Sequence, residues 1–257
     1  MIMEQIRQLL PADTVTEEYC SALKYRFTFE GREAWIVAGK HIMEEKYFFW
    51  VPEWPDACPE RNGVQDLLKL GYCMVHIHIR GLCGNPEAVE IMKRFFDFLQ
   101  TLGFARKTAL IGMSLGGLYS LRYAAAYPET VACIYADAPA CDLYYRHRLQ
   151  RFDMPEICHA YGVPEEDAAQ LIEHKLSPLC NFMPIVKGRI PILMILGGAD
   201  TLVPPELNGR LFAERFREAG GSVILEERAS WGHHPHGLDD TSQIVQFVLR
   251  HTINKFQ

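Results

Sequence analysis

Ser114 stands in the run Ile111-Gly112-Met113-Ser114-Leu115-Gly116-Gly117, and the spacing Gly-x-Ser-x-Gly can give a serine chemistry to do. Where such a run joins a buried strand to a helix, a sharp turn lifts the hydroxyl above the sheet edge. Side chains two residues before and two after would collide across that turn, which gives Gly112 and Gly116 a steric reason to be glycine. The bland alternative is a glycine-rich turn with an inert serine. A serine hydroxyl is a weak nucleophile at neutral pH, so the chemistry also needs a base and a group to orient it. Asp200, in Gly197-Gly198-Ala199-Asp200, follows an apolar run and is the leading acid; its bland role is to cap the next helix. Asp137, also at the end of an apolar run, is its rival. The stretch Gly232-His233-His234-Pro235-His236-Gly237 supplies the imidazoles, so the chain order is Ser, Asp, His. His233 lies nearest the preceding strand and is the preferred base, ahead of His236 and then His234.

The tetrahedral intermediate of acyl transfer needs two N–H donors. The backbone N–H of Leu115 opens the helix after Ser114 and is one. The other belongs to the loop after the third expected strand, Pro52-Glu53-Trp54; proline has no N–H, which leaves Glu53 or Trp54. Three histidines within four residues also look like metal ligands, but no carboxylate or cysteine at ligand spacing accompanies them. His76 and His78, on one face of an expected strand, read as packing. Neither a metal nor a cofactor is expected.

These residues must be carried on a scaffold. Residues 1–23 are weakly patterned and read as a short helix. Apolar residues alternate over 25–29 and run on over 34–38 about Glu30-Gly31-Arg32, as in an antiparallel hairpin. An aromatic strand follows at 46–51. Asn62, with Gln65 in the reciprocal position, is expected to cap a helix ending at Gly71. A strand at 72–79 precedes Asn85-Pro86, an N-cap and first helical residue, and then the apolar face Ala88, Met92, Phe95, Phe96, Leu99 and Leu102. After the serine's strand and helix come strands at 130–136, 190–196 and 222–227, a helix at 205–219, and a last helix bearing Ile244, Phe247, Val248 and His251. Nearly continuous apolar runs such as Ala109-Leu110-Ile111 suit parallel strands buried on both faces. The expectation is an α/β fold, a mostly parallel twisted sheet with helices on both faces, over 1–142 and 188–257. The rhythm breaks over 143–187, read as a small helical cap with a short helix at 164–174 and with Tyr144, Tyr145 and Phe152 lining a pocket. Ligands of such sheets bind outside the carboxyl ends of the strands, which is where Ser114, Asp137, Asp200 and His233 fall.

With 257 residues and 49% hydrophobic content, the chain is long enough for a sizeable core. A net charge of −6 offers no footprint for nucleic acid or an anionic membrane. No apolar run approaches a membrane span, and the first sixteen residues lack the apolar core of an export signal. The eight cysteines form no Cys-x-x-Cys pair. Reduced thiols in a cytoplasmic protein are expected. Nothing in the sequence indicates an oligomeric state.

Gly-Met-Ser-Leu-Gly-Gly at 112–117, Gly-Gly-Ala-Asp-x-x-Val-Pro at 197–204 and Gly-His at 232–233, in that order, resemble the α/β-hydrolase superfamily, over nearly the whole chain. The run 137–142 and Gly-His-His-Pro-His-Gly-Leu at 232–238 also resemble a narrower bacterial group linked with esters of carbohydrate. That group usually has arginine after the nucleophile and serine at the position of Gly237, where this chain has Leu115 and Gly237. The resemblance implies a serine hydrolase cleaving a small carboxylic ester, a carbohydrate-linked one included, through an acyl-enzyme on Ser114. Acyltransferases, thioesterases and carbon–carbon hydrolases use the same triad, and a non-catalytic binding protein of this fold is the remaining alternative.

Overall fold

The computed structural model describes residues 2–144, 154–169 and 176–253. Tyr145, Phe152 and residues 170–174 of the expected cap helix lie outside them. Among the described residues, nine strands form one sheet in the order β1-β2-β3-β5-β4-β6-β7-β8-β9. They are β1 (Val15–Tyr19), β2 (Ala22–Phe29), β3 (Arg32–Ala38), β4 (Phe48–Trp50), β5 (Cys73–Ile77), β6 (Thr108–Met113), β7 (Val131–Asp137), β8 (Ile192–Gly197) and β9 (Val223–Arg228). The first three and β5 pair antiparallel, and from β5 through β4 to β9 every pairing is parallel. The chain runs from β4 outward to β5 on one side, then returns to place β6 on the other. That reversal creates a crevice at the carboxyl ends of β4 and β6.

Side chains alternate across each central strand. Leu110 faces one apolar layer, while Ala109, Ile111 and Met113 face the other. The first layer is covered by α1 (Ile2–Leu9), α3 (Pro86–Thr101), α4 (Leu115–Ala126) and the helix Gly209–Glu218, through residues such as Phe95, Tyr123 and Phe212. The second is covered by α2 (Val64–Lys69) and the final helix Ser242–Thr252, through Leu67, Leu68, Ile244 and Val248. The expected helices on both faces are present. Among the described residues no helix is long and apolar enough to cross a membrane, and all eight cysteines are free thiols.

Three local expectations are corrected. A strand, β1, occupies part of the weakly patterned start; only Tyr19 of it is buried, so this edge strand carries no apolar alternation. Asn62 does not cap α2. Gly63 holds that position at φ 75°, and the Asn62 amide turns inward to donate to the Ala57 and Cys58 carbonyls. In the irregular segment, the described helices are Met154–Tyr161 and Met183–Lys187, and residues 165–167, where the cap helix is expected, form only a single 3₁₀ turn. By contrast, Asn85 caps α3 as expected, accepting from the Ala88 N–H at 2.8 Å with Pro86 at the first helical position.

The irregular segment leaves and rejoins the scaffold at one place. The Leu143 N–H donates to Ser177 Oγ at 2.7 Å, and the Leu179 N–H to the Cys141 carbonyl at 3.0 Å. Between these points Ile157, Cys158, Val163 and Ala168 pack with Cys83 and Leu118 of the scaffold.

Candidate active site

Ser114 joins β6 to α4 with φ 50° and ψ −115°. A left-handed φ at a non-glycine residue costs about 1–3 kcal/mol and persists only where its surroundings fix it. They do: the Ser114 N–H donates to the Asp137 carbonyl at 2.8 Å, and the Ser114 carbonyl accepts from Gly117 and Ala140, both at 3.0 Å. A Cβ on Gly112 would lie 2.5 Å from the Gly116 carbonyl oxygen and 2.6 Å from Ser120 Oγ. The expected collision across the turn is therefore real, although it is with Gly116 backbone. A Cβ on Gly117 would meet Pro139 at 2.5 Å, so the third glycine lets the loop after β7 press on the helix.

Asp200 and His233 sit on two loops that touch. A Cβ on Gly197 would fall 2.2 Å from the Gly232 carbonyl oxygen, and the Ala199 N–H donates to the Trp231 carbonyl at 2.8 Å. The glycines before Asp200 thus let the acid loop lie directly against the histidine loop. His233 Nδ1 is 2.7 Å from Asp200 Oδ2, and His233 Nε2 is 3.0 Å from Ser114 Oγ. An ionised carboxylate only accepts, so Nδ1 carries the proton and Nε2 offers its lone pair to the serine hydroxyl. The other Asp200 oxygen accepts from the N–H groups of Leu202 at 2.8 Å and Val203 at 2.9 Å. Burial acts to raise the Asp200 carboxyl. The His233 hydrogen bond and the backbone donors together outweigh it, and the group is held below the ordinary carboxylate range.

The rival acid and the rival base are bonded to each other. His236 Nδ1 donates to Asp137 Oδ1 at 2.5 Å, while Asp137 Oδ2 accepts from the Gly237 N–H at 2.9 Å and the Tyr135 hydroxyl at 2.8 Å. Arg61 fastens the same loop, donating from Nε to the His236 carbonyl at 2.8 Å and accepting from the Leu238 N–H at 2.9 Å. Gly237 has φ 75°, and a Cβ there would lie 2.3 Å from the Arg61 carbonyl oxygen. His236 meets His233 edge to face, ring centroids 4.8 Å apart. His233, His234 and His236 each offer a nitrogen, all within 4.8 Å of one another.

Of the expected N–H donors, Leu115 opens α4, where first-turn amides have no partner within the helix. The Pro52-Glu53-Trp54 turn presses against the elbow, since a Cβ on Gly116 would sit 3.3 Å from the Glu53 carbonyl oxygen. Neither the Glu53 nor the Trp54 N–H has a hydrogen-bond acceptor among the described residues. The Glu53 side chain is buried, which pushes its carboxyl up to about 7 against the opposing pull of Arg80. His76 is packing, as its bland reading holds: Nδ1 donates to the Val51 carbonyl at 2.8 Å, and burial pushes the ring down to about 4.

A cavity of about 340 Å³ opens above Ser114, walled by Trp54, Ala57, Met113, Leu202 and the three loop histidines. Tyr144 does not line it and packs on the cluster around Leu118. The supports Tyr135, Arg61 and Asn208 escaped the sequence reading. Tyr135 alone left a signal, two residues before Asp137 on one strand face. Asn208 is fully buried; its Oδ1 accepts from the Cys141 and Asp142 N–H groups and its Nδ2 donates to the Pro204 carbonyl. Nothing in the sequence near it marks a loop 66 residues away as its partner.

Residues 52–154 match the model of a family described as the α/β hydrolase fold. Acylamino-acid-releasing enzyme 2 of Oryza sativa subsp. japonica is 33% identical over 185 residues, which is 62% of this chain and 23% of that protein. The chain thus spans about a quarter of that relative's length. The solved acylaminoacyl peptidase of Pyrococcus horikoshii superposes with a TM-score of 0.65 at 16% identity, covering 99% of this chain and 44% of that one. An S-formylglutathione hydrolase from Agrobacterium tumefaciens gives 0.62 at 14% identity, covering 92% and 95%.

Proposed function

A member of the α/β-hydrolase superfamily, the chain is, we propose, a serine hydrolase that cleaves a small acyl substrate through an acyl-enzyme on Ser114. One observation carries this reading. A strained serine, an imidazole and a carboxylate stand in hydrogen-bonded series, 3.0 and 2.7 Å apart, at the floor of a mostly apolar cavity. His233 Nε2 accepts the hydroxyl proton as Ser114 Oγ bonds to the acyl carbon, and Asp200 balances the imidazolium that forms. The oxyanion is met by the Leu115 N–H and by the Glu53 or Trp54 N–H. Collapse breaks the bond to the leaving group, which takes the proton from His233. Water, deprotonated by the same nitrogen, then releases the acid and restores the serine.

The preferred substrate is a small carboxylic ester, which the cavity's volume and its sparse polar lining suit. The chain between the Leu143 and Ser177 anchors acts as a small cap beside this pocket, shorter than the expected 143–187 because Leu179 and Ile185 belong to the main core. A second reading, cleavage of an acylated amino acid from a peptide, draws on the rice relative at 33% identity. It asks more of His233, because an amine leaves only once protonated.

A fluorophosphonate probe should label the wild type stoichiometrically and leave Ser114→Ala unlabelled; equal labelling of the two rejects the nucleophile. Turnover on p-nitrophenyl esters from acetyl to octanoyl, set against an N-acetylated amino-acid p-nitroanilide, then separates the readings. Faster ester turnover alone does not decide, since activated esters react readily. Turnover of the anilide at a rate within about 10-fold of the best ester would favour the peptide reading, because the enzyme must then supply the leaving-group proton efficiently.

A further inference from the structure

Two of the three loop imidazoles are prepared in the same way. His233 and His236 each donate Nδ1–H to a buried carboxylate, Asp200 and Asp137, so each presents a lone pair at Nε2. A carboxylate behind an imidazole is the usual outer support of a metal-bound histidine, fixing its tautomer and raising its basicity. Here the support is built twice, side by side. His234, exposed on the solvent side, offers a third nitrogen, and all three rings line the cavity that ends at Ser114. Their ligand atoms lie within 4.8 Å of one another. Nitrogens sharing one tetrahedral ion at about 2.1 Å stand about 3.4 Å apart, so no pair of these nitrogens has to close by more than about 1.4 Å to share one. The pairs of rings meet at 78–80°, with no two stacked face to face. The sequence lacks ligand-spaced carboxylates or cysteines to complete a site, but the fold uses its carboxylates one layer out.

We propose that His233, His234 and His236 form a binding site for a borderline-soft divalent cation such as Zn²⁺, and that its occupancy silences Ser114. An all-imidazole donor set selects zinc, copper, nickel or cobalt over magnesium and calcium, which prefer oxygen. The inhibition follows from one lone pair having two claimants. His233 Nε2 either accepts the Ser114 proton or binds the metal. The site stands on its own geometry, and only the silencing rests on the proposed role of Ser114.

The test titrates Zn²⁺ into the full chain by calorimetry, for wild type and His234→Ala, with circular dichroism confirming that the variant is folded. Wild type should bind one zinc ion per chain, Mg²⁺ should not bind, and His234→Ala should bind zinc at least about 10-fold more weakly. Equal affinity in the two proteins overturns the site and points to the cysteines. In parallel, fluorophosphonate labelling of the wild type should fall as zinc is added and recover with EDTA. His234→Ala lacks one wall of the cavity, so its labelling is compared with its own zinc-free rate, and it should keep most of that rate at a zinc concentration that silences the wild type. Full labelling of zinc-saturated wild type overturns the silencing. A wild type that never labels, even without zinc, rejects the hydrolase reading, and the calorimetry still decides the site.

Discussion

Asp137 and Asp200 both follow strands and both bind a histidine, so their separate roles can be measured. Asp200 stands behind the imidazole that reaches Ser114, whereas Asp137 joins His236, the Gly237 amide and the Tyr135 hydroxyl. Asp200→Asn should therefore lower turnover by about 10⁴-fold, through the wrong imidazole tautomer. Asp137→Asn places an NH₂ where donors already point; it should cost about 2–3 kcal/mol in stability while turnover falls less than about 100-fold. Turnover of p-nitrophenyl acetate and urea unfolding midpoints report the two quantities, and a reversal of the pattern would make Asp137 the acid. Glu53 gives a separate prediction in pH. Its carboxyl is raised by burial from 4.5 in the open chain to about 7 in the folded protein, so the folded state holds the proton more tightly. The associated stability is fully present below about pH 4.5 and is lost as pH rises through 7. Between pH 5 and 8 the wild type should lose about 2.5 kcal/mol relative to Glu53→Gln, whose amide does not titrate. Urea unfolding across that range checks this, and parallel curves would place the Glu53 carboxyl in water.

At the scale of elements, the glycines of the elbow separate what folds the turn from what the turn does. Gly112→Ala would drive a Cβ into the Gly116 carbonyl at 2.5 Å, backbone that has no rotamer to yield. It should destabilise by about 3 kcal/mol or more. Gly116→Ala meets the Glu53 carbonyl at the milder distance of 3.3 Å and can be accommodated by shifting the Pro52-Glu53-Trp54 turn. That shift should cost less than about 1 kcal/mol yet reduce turnover by about 10²-fold, because it moves a proposed oxyanion donor. Melting temperature and turnover, measured together, should diverge in these two variants. The elbow, the acid loop and the succession of strands from β2 onward were legible because buried parallel strands are apolar runs and tight turns demand glycine. Asn62 misled because a capping-box spacing does not reveal where the amide points, and here two carbonyls claim it. The placement of β4 between β5 and β6 was not readable either, since pairing is a property of the whole sheet. The bond between His236 and Asp137 spans 99 residues, and only the closed fold brings those ends together.

At the scale of the molecule, the open question is what the excursion between β7 and β8 does for the site. Its ends are fastened to each other through the Leu143–Ser177 and Cys141–Leu179 hydrogen bonds. Its helix Met154–Tyr161 docks on the loop before α3: the Tyr161 hydroxyl donates to the Cys83 carbonyl at 3.0 Å and Asn85 Nδ2 to the Ala160 carbonyl at 2.6 Å. Among the described residues between 144 and 176, none is a buried member of the two large apolar layers of the sheet. Replacing 145–175 by a Gly/Ser linker of about four residues should therefore leave a folded protein. Its melting temperature should fall, because Leu118 and Cys83 lose their cover. If the excursion limits the acyl group as a cap would, the truncated chain should also gain on long esters, with the octanoyl-to-acetyl ratio of kcat/KM rising by about 10-fold or more, the scale on which apolar contacts discriminate chain length. Circular dichroism and the graded p-nitrophenyl series measure both consequences on one preparation. A folded, less stable variant with an unchanged ratio would assign the excursion to stability alone and leave Trp54, Met113 and Leu202 as the walls that choose the substrate.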